Sequence, residues 1–167
     1  GSEVAGLVDG FRHPLLGWDH LLAMLAAGAW AARQRGLTRA AIPLAFLGAM
    51  SAGGLLGMRF APLPVAELAI GVSVLGFGAL AGSRARLAPA LAAGIAGSFG
   101  FAHGLAHGAE LPASASVVSF GLGMLVATSL IQGVGWLACR VAGALLASLF
   151  AAGASAQTSP AENKRDV

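Results

Sequence analysis

Apolar residues run along this chain in blocks near twenty residues long, separated by short gaps that carry arginine. A hydrocarbon layer roughly 30 Å thick is crossed by about 20 apolar residues of helix. The pattern therefore predicts about six spans, at 14–32, 40–58, 64–82, 87–108, 113–138 and 141–156. Pro14, Pro43, Pro64, Pro89 and Pro112 each fall at or near a predicted helix start. The amide that proline lacks would have no intrahelical partner there. The final block, from Val141 to Ala156, is short and rich in alanine, and residues 157–167 form a polar tail predicted to be disordered. The expected fold is all-α: a polytopic transmembrane helical bundle, with residues 1–156 as one domain.

Composition sharpens this reading. Hydrophobic residues make up 57% of the 167, charged residues only 10%, and the mean hydropathy is +0.79. A soluble domain carries about a quarter charged residues. The net charge of +3 is therefore read as a topology signal and not as a nucleic-acid footprint. Arg33, Arg35 and Arg39 lie in the first gap, Arg84 and Arg86 in the third, and Arg140 in the fifth. The second gap holds only Arg59, and the fourth has no basic residue but carries Glu110. Basic residues concentrate on the cytoplasmic side, so the N-terminus and the tail are both expected outside. Trp30 and Trp136 would anchor inner helix ends and Trp18 an outer one. The single cysteine, Cys139, permits neither a disulfide framework nor a thiolate cage, and reads as a packing residue at a helix end.

This topology brings the start of the first helix and the end of the fourth to one face. In the stretch Phe101-Ala-His-Gly-Leu-Ala-His-Gly-Ala-Glu110, His103, His107 and Glu110 share a helical stripe, since residues three, four and seven apart stack on one side. Gly100, Gly104 and Gly108 run beside them and let another helix come close. The first helix contributes His13, Asp19 and His20, with His13 and His20 on one face if the helix begins at or before His13. All four histidines and two carboxylates then belong to one outer layer. Ionisable groups at membrane depth are costly and usually functional. The blander alternative pairs Asp19 with a neighbouring histidine for structure and makes His13 a solvated cap. A nitrogen-rich ligand set suits Ni, Co, Zn or Cu(II) better than Mg or Ca. Met24, one turn below His20, offers a soft sulfur. Glu67 begins the third span as a gate, a partner behind the metal ligands or, by default, a solvated end, and Gln132 is the polar side chain most expensive to bury, so it should face another helix or a path. Met50, Met58 and Met124 read as gap-filling core residues.

Two motifs now carry a resemblance. His13-Pro14…Gly17…Asp19-His20 followed by Ala23-Met24, and Phe101…His103-Gly104…Ala106-His107-Gly108…Glu110, resemble the paired signatures of the HupE/UreJ nickel/cobalt permeases. Leu63-Pro64…Glu67 and Gly123…Ala127-Thr128 also look like family positions. The resemblance implies a secondary permease for Ni²⁺ or Co²⁺ in the bacterial inner membrane, multi-pass, with the metal site near the periplasmic face. It also implies a cleavable signal peptide and a supply of metal to hydrogenase or urease maturation. The family often has a histidine near Gln132, which this chain lacks.

The expected partners are the metal as transported substrate and the surrounding lipid, with no organic cofactor, and a homo-oligomer is compatible with the sequence. No Walker motif is present, so ATP hydrolysis by this chain is not expected. A membrane potential supplies about 2.3 kcal/mol per charge per 100 mV, roughly 4.6 for a divalent ion, which suffices to drive uptake. Two other classes fit the residues less well. One is a membrane-embedded zinc hydrolase with Asp19 or Glu110 as general base; the other is a metal sensor without flux.

Overall fold

A computed structural model of the chain describes residues 3–60, 63–111 and 115–158. Among these residues the secondary structure is helical throughout, with no strand: α1 (Glu3–Leu16), α2 (Trp18–Arg33), α3 (Leu37–Gly57), α4 (Leu63–Gly82), α5 (Pro89–Ala109) and α6 (Val117–Thr158). Pro112 and the tail beyond Thr158 lie outside the described residues.

The chain is a multi-pass membrane protein, and its faces are sorted accordingly. Outward positions such as Leu44, Leu68, Leu75 and Leu130 are apolar and more than half exposed. A soluble protein would leave so large an apolar surface exposed only at a binding site. Among the described residues, α3, α4 and α6 are each long and apolar enough to cross a membrane, and α1 with α2 make a fourth if the bent pair counts as one span. Histidines and glycines keep α5 out of that group.

Helices α3 and α5 run parallel, with backbones in contact. A methyl group on Gly100, Gly104 or Gly108 would overlap the carbonyls of Phe46, Met50 and Gly54 respectively. One on Gly53 or Gly57 would overlap those of Phe101 and Leu105. The glycine stripe beside His103 and His107 thus does what its spacing predicted. The core beneath is aromatic: Phe77 of α4 lies between Trp30, Phe46 and Phe99 at ring separations of 5.9, 6.1 and 5.1 Å.

Three expectations need correction. The first span does not start at Pro14; α1 begins at Glu3 and α2 leaves it at an angle of 85°. Pro14 sits in the last turn of α1, and Gly17 breaks the helix with φ −99° and ψ 116°. His13 and His20 therefore lie on two helices and not on one face. The expected fifth and sixth spans are one continuous helix, because a lone arginine at 140 does not interrupt α-helical hydrogen bonding as Gly or Pro would. At 42 residues α6 extends about 63 Å, and Cys139 lies within it and not at an end. Trp30 is fully buried against Phe77 and is no interfacial anchor, whereas Trp18 is 78% exposed. One boundary also moves: α3 starts at Leu37, which puts Pro43 inside the helix.

Candidate metal site

The bend at Gly17 organises the histidine end of the bundle. It turns His20 inward from the first turn of α2 while His13 arrives from the last turn of α1. Both meet α5, whose His103 and His107 are one turn apart and buried. His20 stands 5.0 Å from His103 and 4.5 Å from His107, ring centre to ring centre, and His13 stands 5.0 Å from His107. Two trios result. His20, His103 and His107 each offer a ligand atom within 4.8 Å of the others, and so do His13, His107 and Glu110. His107 belongs to both.

Hydrogen bonds fix which nitrogens face inward. Asp19 Oδ1 lies 2.9 Å from His20 Nδ1. An ionised carboxylate only accepts, so Nδ1 donates and Nε2 keeps its lone pair. Ser73 of α4 does the same for His103. Its hydroxyl donates to the Ile70 carbonyl at 2.6 Å, so its oxygen, 3.0 Å from His103 Nε2, accepts from that ring. His103 Nδ1 is then the lone-pair nitrogen. Both of these nitrogens are buried without a hydrogen-bond partner, as are Nδ1 and Nε2 of His107. A buried polar atom left unpaired costs about 1–3 kcal/mol, and a cation at this point would satisfy all three rings together. Glu110 Oε2 accepts from His13 Nε2 at 2.9 Å and lies 4.0 Å from His107 Nδ1. Glu110 also caps α5, whose C-terminal end carries partial negative charge.

Asp19 and Glu67 belong to neither trio. Asp19 stands behind His20, on the far side of the ring from the trio. Met24 is buried in the core further along α2, Glu67 is exposed in the first turns of α4, and Gln132 is buried in α6 with its side-chain amide unpaired. Ser73 is the residue sequence reasoning did not single out. Its signal was its place in the buried stripe Ala66, Ile70, Ser73, Phe77, where a lone hydroxyl interrupts an apolar helical face. Met50, Met58 and Met124 line a cavity of about 300 Å³ that reaches His107 between α3, α5 and α6.

The family described as HupE / UreJ protein matches residues 1–159. The chain belongs to the HupE/UreJ family. It is 34% identical over 135 residues to Protein HupE of Rhizobium leguminosarum bv. viciae, covering 81% of this chain and 71% of that protein. No solved structure matches it. HupE/UreJ members are transport proteins and not enzymes.

Proposed function

We propose that this HupE/UreJ member is a secondary permease that carries Ni²⁺ or Co²⁺ inward across the bacterial inner membrane. The observation that carries the reading is the trio of imidazoles, two buried and one half-buried, two of them with their lone pairs set by Asp19 and Ser73, and none with a hydrogen-bond partner for the free nitrogen. Three neutral nitrogens within 4.8 Å match the preference of late first-row divalent ions and not of Mg²⁺ or Ca²⁺. Capture would begin at the more exposed His13 and Glu110, which keep the ion in an oxygen- and nitrogen-bearing vestibule. His107, common to both trios, then passes it to His20 and His103 as it sheds water. The carboxylates of Asp19 and Glu110 reduce the penalty of bringing a doubly charged ion into a low-dielectric site.

The arginines gathered at the opposite end support a periplasmic reading of this site under the positive-inside rule. Inward movement then follows the membrane potential, with no nucleotide needed. Purified protein in proteoliposomes should take up radioactive nickel or cobalt, and His107→Ala should abolish that uptake while leaving the helical content unchanged. Undiminished flux in the variant would remove the site from the mechanism. Absence of flux in the natural sequence, with tight metal binding intact, would favour a sensor.

A further inference from the structure

The end of the bundle away from the histidines holds a second feature. Arg33 and Arg35 at the α2–α3 connection, Arg39 in α3, Arg84 and Arg86 between α4 and α5, and Arg140 within α6 all line one concave basin of about 550 Å³. The basin is about 20 Å from His20, given thirteen residues of helix between His20 and Arg33. Buried polar residues hold its rim in shape. The Gln34 side chain donates to the Ala85 carbonyl at 3.0 Å and accepts from the Leu87 amide at 3.3 Å, and Thr38 donates to the Leu87 carbonyl at 3.1 Å.

Among the described residues the charge in this basin is uncompensated. Among the described residues no arginine forms an ion pair. The described acidic residues, Glu3, Asp9, Asp19, Glu67 and Glu110, lie on α1, at the start of α2, near the start of α4 and at the end of α5, all toward the histidine end. Arg39 reaches only the Gln34 carbonyl, with both contacts at 3.4 Å. Setting topology requires basic residues in the connections, but it does not require them to converge on one hollow. Arg140 is not in a connection at all; it projects from a continuous helix into the same space. Several guanidiniums around one cavity repel each other unless an anion sits between them, and their fork geometry matches phosphate oxygens.

We propose that this basin is a binding site for a phosphate group, and that its occupant is the headgroup of an anionic phospholipid. The lipid source follows from the surroundings. The basin lies at the helix ends of a membrane protein, and exposed apolar side chains flank it on α3, α5 and α6, including Leu37, Leu91, Leu137 and Val141. Acyl chains would lie along these side chains while the phosphate enters the hollow. Basic pockets between helices on the cytoplasmic side commonly hold lipid headgroups in this way. The site is independent of what passes the histidine end.

The test compares lipid retention. Full-length protein is reconstituted in nanodiscs of equal phosphatidylglycerol and phosphatidylcholine, and the lipid that stays bound after transfer to detergent is measured by native mass spectrometry. Phosphatidylglycerol should be retained in preference. The preference should fall about 25-fold in the Arg84→Gln/Arg140→Gln double variant, from about five-fold per basic residue near a charged surface. Arg59→Gln, at the other end of the bundle, should leave it unchanged. If the double variant does not insert, Arg140→Lys keeps the charge but loses the fork, and should give a smaller drop. A second arm adds inorganic phosphate at millimolar concentration to the detergent-bound protein. Lipid retained despite phosphate supports the headgroup, and ready displacement, with phosphate alone raising the melting temperature, would overturn the lipid source. Equal retention of both lipids, or equal losses in the Arg59 and Arg84/Arg140 variants, would overturn the site.

Discussion

Ser73→Ala isolates the device that prepares His103. The serine is fully buried; its hydroxyl donates to Ile70 and its oxygen accepts from His103 Nε2 at 3.0 Å. Alanine fits the same volume, so packing against Phe77 and Ile70 is conserved. What is lost is the acceptor that keeps the proton on Nε2 and the lone pair on Nδ1. Leaving a buried N–H without a partner costs about 1–3 kcal/mol, and the ring escapes that cost by moving its proton or turning. Removing groups that orient a metal-binding histidine lowers affinity about 10- to 100-fold. A loss in that range is expected for Ni²⁺ binding to the detergent-purified variant, titrated against a competing chelator. Nitrogen-detected NMR of labelled histidine should show His103 protonated at Nε2 in the natural protein and losing that preference in Ser73→Ala. Affinity and tautomer both unchanged in a folded variant would refute the reasoning, because the orientation of His103 would then owe nothing to Ser73.

Other perturbations follow from the same geometry. His107→Ala removes a ligand from both trios and His13→Ala from one, so radioactive-metal uptake should fall by more than about 10-fold for the first and less for the second. Gly104→Ala would drive a methyl into the Met50 carbonyl and the Gly54 amide, whereas Gly48→Ala meets nothing within 4 Å. Thermal unfolding in detergent should show a loss of about 1–3 kcal/mol or worse for the first and no loss for the second. Gln34→Ala leaves the Ala85 carbonyl and Leu87 amide without their side-chain partner, and amide exchange in residues 84–88 should accelerate while α5 stays protected.

The spacing of the histidines was easier to read from the sequence than the backbone that carries them. Four-residue spacing put His103 and His107 on one stripe with glycines beside them, because an α-helix has a fixed period, and both the stripe and the close α3–α5 approach are present. The arginine gaps likewise marked one end of the bundle, where six of them share a basin. Backbone events that hydropathy does not encode were illegible. The 85° turn at Gly17 is made by one residue in β conformation within an apolar run, and it places His13 and His20 on different helices. The passage of α6 through Arg140 was hidden because a charge resembles a loop on a hydropathy scale yet is a good helix former. Trp30 was misplaced because tryptophan favours interfaces on average, while here Phe77 covers it. Ser73 stood in plain view on a buried stripe, but its partner lies thirty residues away and only packing of α4 on α5 joins them.

The claim beneath this account is that His20, His103 and His107 hold the transported ion together. X-ray absorption at the nickel edge, on protein loaded with a single equivalent of Ni²⁺ in a bilayer, tests it most directly. The account predicts a shell dominated by imidazole nitrogen, with the multiple-scattering signature of three rings, reduced by one ring in His103→Ala and again by one in His107→Ala. A shell of oxygen alone, or a spectrum unchanged by either substitution, would contradict it.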